Sequence, residues 1–312
     1  VRRDVVTKNM VFLTALSAYT PEPLNLFLRG ESSIGKTYNV VQVLRYFPHE
    51  DVWLLGGLSP TALIHQHGIL VDKNGDPIKP MSKPSKDASA EQREEWERYL
   101  ERLREARTLI DLKGKILVFL EAPHFETFQM LRPILSHDSH QISYRFTDKS
   151  GKGQLQTQHV IIQGWPATIF CSTNEKYVQD LATRGFTITP EMSERKYRAA
   201  NMVSAMKAAY PWAFQRDFDQ MLLEGYITFY REMAKSVGVV DPLAETFAEA
   251  YPTKQARSMR DFQQILRLVK VYALFHLYQR PVLVRRIAEK RDDNTELENS
   301  KGEAQEEKYI IV

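Results

Sequence analysis

The sequence predicts an α/β fold in which buried parallel strands alternate with helices. Four apolar runs of strand length lie along the chain, at 24–28, 51–55, 115–122 and 165–171. Continuous apolar runs of this length are typical of parallel strands that are covered on both faces. Stretches with helical spacing of apolar residues separate them, so helices are expected to connect the strands and cover the sheet.

The composition indicates a soluble globular protein, because 43% of the 312 residues are hydrophobic and 26% are charged. No apolar stretch approaches the roughly 20 residues of a membrane span, and no signal peptide opens the chain, so no membrane partner is expected. Cys171 is the only cysteine, which excludes internal disulfides and favours a reducing compartment, the cytoplasm. The net charge of +3 is too small to indicate nucleic-acid binding without a local basic patch. The chain begins at Val1 and ends on an apolar run, so we expect a fragment of a longer polypeptide.

The stretch GESSIGKT, residues 30–37, follows the first apolar run and precedes apolar residues at helical spacing. Strand, glycine-bounded loop and helix are the context that a phosphate-binding loop requires. Gly30 and Gly35 let the backbone turn its N–H groups inward, and the helix N-terminus adds partial positive charge. Lys36 would reach the β- and γ-phosphates, and the Thr37 hydroxyl would bind Mg²⁺. A plain turn between a strand and a helix is the alternative. The predicted ATP contacts are Gly30, Glu31, Ser32, Ser33, Ile34, Gly35, Lys36, Thr37 and Tyr38.

Other elements of the first half are less diagnostic. Residues 1–20 have helical periodicity, and 51–55 are apolar and predict a second buried strand. In 59–82 we expect a short helix and then a hairpin around an Asn-Gly turn. Residues 85–113 are rich in strong helix formers of mixed charge and predict one long, solvent-facing helix.

The run KILVFLEA, residues 115–122, ends in a carboxylate. Active residues of parallel sheets lie at the carboxyl ends of strands, which would put Glu121 at the edge where the phosphate loop also lies. Glu121 is therefore a candidate catalytic base or water-orienting group, and a helix N-cap is the alternative.

A helix at 125–135 and a hairpin at 141–162 follow. The hairpin turn is basic, since Arg145, Lys149 and Lys152 face only one acidic neighbour locally. Such a turn is a candidate contact to a nucleic-acid backbone, and a solvated turn is an equal alternative.

The strand at 165–171 is followed by polar residues that end in Asn174. This side chain could lie beside the γ-phosphate, or it could cap the next helix. Arg184 lies between a helix and a short strand, and its position alone indicates little.

The rest of the chain is mostly helical, with helices predicted at 191–209, 213–236, 241–250 and 258–279. Arg260 lies in the first turn of the last of these, where a cation opposes the helix dipole unless an anion is present. Residues 286–308 are dense in charge and predict a mobile linker.

Taken together, the order of these motifs resembles the AAA+ ATPases, in the branch with a hairpin before sensor 1. That branch includes minichromosome maintenance helicases, superfamily 3 viral helicases and primase-helicases of phages and mobile elements. GESSIGKT matches Walker A, KILVFLEA resembles Walker B and IFCSTN resembles the sensor 1 strand. LATRGFTITPE resembles the arginine-finger segment, and SMRDFQQILRLVKVYA looks like the sensor 2 helix.

The resemblance implies a P-loop AAA+ core with a five-stranded parallel sheet between helices, plus a C-terminal helical lid. The implied domains are a lead-in helix at 1–20, the core at 21–190 with its hairpin at 141–162, the lid at 191–280, and a charged linker to a winged helix at 281–312. It also implies that Asn174 is the sensor 1 residue, that Arg184 is the finger, and that Arg260 is the sensor 2 arginine and contacts ATP. In one respect the chain departs from the family, because Leu120 stands where Walker B has an aspartate before Glu121.

By resemblance, the chain would be an ATP- and Mg²⁺-dependent helicase of a replication system of a mobile element or phage. It would form a homo-oligomeric ring, with six subunits expected, and would grip single-stranded or forked DNA through Lys149 and Lys152. A primase or another replication domain is expected in the parent polypeptide. Two alternatives stay open: an AAA+ switch that loads or recruits other proteins without unwinding, and a small-molecule kinase that works as a monomer.

Overall fold

The computed structural model describes residues 3–56, 59–85, 88–121, 123, 125–149, 155–171, 182–214, 218–287 and 305–312. In chain order, its strands are β1 (Asn25–Leu28), β2 (Val52–Leu55), β3 (Ile69–Val71), β4 (Arg107–Asp111), β5 (Ile116–Phe119), β6 (Gln141–Lys149), β7 (Leu155–Gln163), β8 (Ala167–Phe170), β9 (Phe186–Ile188), β10 (Val237–Val240), β11 (Val282–Ile287) and β12 (Gln305–Ile311). Its helices are α1 (Val5–Ser17), α2 (Lys36–Leu44), α3 (Pro60–His67), α4 (Ala90–Arg104), α5 (Phe125–Leu135), α6 (Glu194–Ala209), α7 (Phe218–Met233), α8 (Ala244–Ala250) and α9 (Ser258–Phe275).

A five-stranded sheet with the order β2-β5-β8-β1-β9 forms the centre of the molecule. Every neighbouring pair in it is parallel, which confirms the predicted parallel sheet. β8 lies between β1 and β5, although both precede it in the chain. The carboxyl ends of β1, β8 and β5 therefore lie side by side at one edge of the sheet.

Both faces of this sheet are covered, which explains the continuous apolar runs. Along β1, Leu26 packs into one hydrophobic cluster and Phe27 into the other, and along β5 Val118 and Phe119 divide in the same way. This alternation is the period-two pattern of a strand whose two faces are both buried.

Helix α1 confirms the helix predicted in residues 1–20. Its Phe12 ring packs edge-on against Phe47, at 5.7 Å between ring centroids, and against Phe275 of α9, at 5.3 Å. Helix α1 also packs against α2, the helix that follows residues 30–37, which are the predicted phosphate loop. One helix thus joins the first half of the chain to the last long helix.

A second sheet has the order β3-β4-β7-β6 and contains the predicted hairpin. Strands β6 and β7 pair antiparallel from Gln141 opposite Gln163 to Lys149 opposite Leu155. The residues of the hairpin tip, 150–154, lie outside the described residues. The earlier turn is also confirmed, because the Ile78 N–H donates to the Leu70 carbonyl at 2.8 Å across the Asn-Gly turn.

The long helix predicted over 85–113 is partly wrong. Helix α4 ends at Arg104, and residues 107–111 form β4, which pairs with β3 and with β7. Ile110 is fully buried in the second hydrophobic cluster. Burial beside strands that lie far away in the sequence therefore overrides the helical propensity of this segment. Helix α4 itself is exposed to solvent along its length, as predicted.

The end of the chain differs from the predicted linker. Strand β12 pairs with β10 and β11 in a third sheet, and its Ile310 is fully buried against the main core. Residues 288–304, the most charged part of this segment, lie outside the described residues. Among the helices that the structure describes, none is both long and apolar enough to cross a membrane.

Candidate functional site

The loop between β1 and α2 has an unusual backbone. Three of its residues have positive φ: Gly30 (118°), Ser33 (66°) and Gly35 (88°). At Gly30 the φ of 118° is one that other residues rarely adopt, and a Cβ atom would lie 2.5 Å from Cδ1 of Ile34, which would have to move. Left-handed residues in such a loop make successive N–H groups converge on one side, which forms a concave anion site.

Helix α2 begins directly after this loop, at Lys36. The residue before it is Gly35, which has no side chain to cap the helix, and the first turn contains no acidic residue. The first N–H groups of a helix have no partner within the helix and carry partial positive charge. This end of α2 is therefore electrostatically suited to an anion.

Lys36 is 7% exposed, and its Nζ donates to the carbonyls of Gly30 and Glu31, both at 2.6 Å. Among the described residues, no carboxylate forms an ion pair with it. Neutral carbonyl groups compensate a buried ammonium group only in part, because burial of an unpaired charge is costly. A polyphosphate would supply the missing negative charge, so this lysine fits such a ligand.

The carboxyl end of β8 reaches the same loop. Cys171 follows β8, and its N–H donates to the Phe119 carbonyl at 2.9 Å. Burial raises the pKa of its thiol to about 12, although a hydrogen bond with the Thr37 hydroxyl and the charge of Lys36 act in the opposite direction. The thiol therefore stays protonated at neutral pH and lies beside Thr37. No sequence motif marks this contact, so it could not be predicted from the sequence.

Glu121 lies at the same edge of the sheet, two residues after the end of β5, and its side chain is exposed. Since β8 separates β5 from β1, these two strands lie about 10 Å, or two strand spacings, apart, and Glu121 follows one of them while the phosphate loop follows the other. This gap is wide enough for phosphate groups. Leu120 is partly buried and packs against the main hydrophobic cluster, so its side chain serves packing.

Arg184 lies at the amino edge of the central sheet, where the parallel strands begin, and therefore at the end opposite to the phosphate loop. It precedes β9, in which Phe186 lies beside Leu26 of β1. Its Nη1 donates to Asp138 Oδ1 at 2.5 Å and to the Ser136 carbonyl at 3.1 Å. A strand of four residues spans about 13 Å, so Arg184 is far from the phosphate loop of its own chain.

Arg260 lies beside Arg184 and not at the phosphate loop. Its Nη1 donates to the Thr183 hydroxyl at 3.3 Å, and Gln264, one turn further along α9, donates to the Arg184 carbonyl at 2.9 Å. The family resemblance predicts that Arg260 contacts ATP. The structure does not bring it to the loop of the same chain, because α9 begins at the amino edge of the sheet.

The candidate DNA contacts are described only in part. Arg145 is exposed and pairs across the hairpin with His159, whose Nε2 is hydrogen-bonded to Ser143 Oγ at 2.5 Å. The opposite face of β6 is anchored, because the Tyr144 hydroxyl donates to the Met130 carbonyl at 2.8 Å. Lys149 is the last residue of β6. The predicted sites Lys152 and Asn174 lie outside the described residues.

Comparison with known proteins does not assign the chain to a family. Its sequence matches no protein-family model, and a search of curated proteins finds no match. The functional interpretation therefore depends on the residues themselves and on their arrangement around the two edges of the central sheet.

Proposed function

We propose that this chain is an AAA+ ATPase that binds ATP with Mg²⁺ at residues 30–37 and uses its hydrolysis to move along DNA. The observation that carries the proposal is the buried ammonium of Lys36, which has only carbonyl partners among the described residues. It lies in a loop with three positive-φ residues, between a central parallel strand and a helix N-terminus. This combination is what a phosphate-binding loop requires.

The residues of the carboxyl edge have distinct roles in this proposal. Lys36 would exchange its two carbonyl partners for β- and γ-phosphate oxygens. The exposed Thr37 hydroxyl and the Glu121 carboxylate would hold Mg²⁺, which neutralises the charge that develops on the phosphates. Glu121 would also accept a proton from the attacking water, and Asn174 would orient that water. The described residues contain no cluster of three metal-ligating side chains, so phosphate oxygens would complete the shell.

The amino edge supports an oligomer. Arg184 and Arg260 both lie away from the loop of their own chain, where neither could stabilise its nucleotide. An arginine supplied by another subunit is a common way to stabilise the transferring phosphoryl group. In a homo-oligomeric ring, expected to be a hexamer, both arginines would face the nucleotide of the next subunit. The hairpin β6–β7 would contact single-stranded or forked DNA through Arg145, Lys149 and Lys152.

The first experiment measures ATP hydrolysis with and without single-stranded DNA, for the natural sequence and for Glu121→Gln. The expected result is DNA-stimulated turnover that falls by two orders of magnitude or more in Glu121→Gln, because the amide cannot accept a proton. Equal turnover in the two proteins would contradict the role of Glu121. No binding of ATP to the natural sequence would contradict the proposal as a whole.

One observation favours a second candidate, a nucleotide switch that loads or recruits replication proteins without unwinding DNA. Leu120 replaces the carboxylate that would otherwise bind the hydration shell of Mg²⁺, and its side chain packs against the core. ATP-dependent DNA binding with negligible turnover in both proteins would favour the switch. A monomeric small-molecule kinase needs no arginine from a neighbouring subunit, so it would give Arg184 and Arg260 no role at the amino edge.

A further inference from the structure

A buried ion pair lies behind the phosphate loop. Lys196, in the first turn of α6, is 3% exposed, and its Nζ lies 2.5 Å from Asp4 Oδ2. The same Nζ donates to the carbonyl of Ile34 at 2.8 Å and to that of Glu191 at 2.9 Å. An ammonium group has three N–H donors, so Lys196 is fully satisfied, and one of its acceptors belongs to the phosphate loop.

Asp4 anchors this ammonium from the segment before α1. Its Oδ1 accepts the N–H of Glu191 at 2.7 Å, and its Oδ2 also accepts from Nδ2 of Asn39 in α2 at 2.9 Å. Burial alone would raise the pKa of Asp4, but the hydrogen bonds from Lys196, Asn39 and the Glu191 N–H hold it below its usual value. The pair therefore joins three segments that are distant in the sequence: the residue before α1, the loop with its helix, and the start of α6.

The contact with Ile34 has a direct consequence for the loop. A trans peptide group is planar, so its N–H points opposite to its C=O. Lys196 holds the C=O of the peptide between Ile34 and Gly35, and this fixes the direction of the Gly35 N–H. Gly35 is the residue before α2, with φ of 88°, so its N–H belongs to the converging donors of the anion site.

We propose that Lys196 is a positioning residue for the phosphate loop and that Asp4 holds its ammonium in place. Through the peptide between Ile34 and Gly35, the pair aims the Gly35 N–H at the phosphates before they bind. This inference rests on the proposed nucleotide site and goes beyond it, because neither residue belongs to the loop or to any of the ATPase motifs.

The test measures nucleotide affinity and the order of the phosphate loop in the full chain, for the natural protein and its variants. The main variant carries Asp4→Asn and Lys196→Met together, so that no lone charge stays buried. Asparagine also tolerates the left-handed backbone that Asp4 adopts, with φ of 62°. The control is Arg231→Met, which breaks an ion pair of 2.9 Å to the buried Asp51, away from the loop.

Two quantities are measured at a temperature where all the proteins are folded by circular dichroism. These are the Kd of a fluorescent ATP analogue and, without nucleotide, the NMR order parameter of the Gly35 N–H. In the double variant we expect a Kd at least tenfold higher and an order parameter that falls from about 0.85 towards 0.6. In Arg231→Met we expect the Kd to stay within twofold of the natural protein and the Gly35 order parameter to stay unchanged.

An unchanged Kd and order parameter in the folded double variant would overturn the inference, as would an equal loss of affinity in Arg231→Met. If the double variant does not fold, Asp4→Asn alone decides: a Kd at least threefold higher supports the inference, and an unchanged one refutes it. If the natural protein binds no ATP analogue, the proposed function fails, and the Gly35 order parameter alone then tests the positioning role.

Discussion

Lys36, at the carboxyl edge of the central sheet, and Asp51, near its amino edge, are both buried but have different partners. At the carboxyl edge, Lys36 is buried with only carbonyl partners among the described residues. Near the amino edge, the buried carboxylate of Asp51 accepts from the Tyr19 hydroxyl and from Arg231, both at 2.9 Å, and pairs with Lys115 at 3.4 Å. A buried charge with ionic partners serves the fold, whereas one without them is a candidate for binding a ligand.

The prediction with the largest expected effect concerns Arg184 at the amino edge. It tests whether this residue assists ATP hydrolysis in a neighbouring subunit. Arg184→Ala should lower the ATP turnover of the oligomer by roughly 10³-fold or more, since a trans-acting arginine has this magnitude in nucleotide hydrolases. The measurement is steady-state ATP hydrolysis at protein concentrations where the oligomer is intact.

Subunit mixing makes this prediction specific. Arg184→Ala retains its own phosphate loop, and Lys36→Met retains its arginines, so each protein alone should be inactive while their mixture regains activity. If the mixture stays inactive although mixed oligomers form, Arg184 does not act across subunits.

The second prediction concerns the paired charges. Asp51→Ala should lower the free energy of unfolding by about 3 kcal/mol, because it leaves the buried Tyr19 hydroxyl without its acceptor and removes the shortest ion pair of Arg231. ATP affinity of the folded protein should stay within twofold. The measurements are urea unfolding and nucleotide titration. Glu50→Ala is the control, since Glu50 also pairs with Arg231, at 3.3 Å, but is exposed, and it should cost less than 1 kcal/mol.

The third prediction is a pH dependence at the amino edge. Burial, and next the positive charge of Arg267, lower the pKa of His137 to about 4, while Glu22 and Asp138 oppose this shift and Arg184 adds to it. The unfolded chain would bind a proton near pH 6.5 and the folded chain would not, so stability is complete above about pH 6.5 and falls towards pH 4. The loss should reach at most about 3 kcal/mol.

This dependence is measured by urea unfolding between pH 4 and pH 7. His137→Asn should remove most of it in that window, because asparagine does not titrate and tolerates the positive φ of 59° at this position. An unchanged slope in the variant would show that other groups cause the loss.

The smallest expected effect has the opposite sign. Lys36→Met should raise the free energy of unfolding by up to about 1 kcal/mol, because it removes a buried charge that has no described ionic partner. The same substitution should abolish ATP binding. Thermal unfolding and nucleotide titration measure the two effects, and a clear loss of stability would mean that Lys36 serves the fold in the way that Asp51 does.

Four of the five strands of the central sheet could be predicted because their apolar runs are local and continuous. The strand, loop and helix around residues 30–37 could be predicted because the apolar runs and the two glycines lie next to one another in the sequence, while phosphate binding by this loop stays a prediction. Strand β4 was mistaken for helix, since its partners in β7 lie about 50 residues further along the chain. Asp4 and Lys196 were missed for the same reason, because no local pattern connects residues so far apart. Arg260 was placed at the loop by family resemblance, and only the packing of α9 shows that it lies elsewhere.

The position of β1 in the sheet also affects how the chain can fold during synthesis. Both neighbours of β1 in the sheet, β8 and β9, come from much later in the sequence. Asn25 lies opposite Thr168 of β8, and Leu28 lies opposite Ile188 of β9. A nascent chain that ends before residue 167 therefore exposes both hydrogen-bonding edges of β1, a strand that is buried along its whole length in the folded protein, and this favours aggregation. The phosphate loop, although encoded near the beginning of the sequence, can take its final shape only after most of the sheet has left the ribosome.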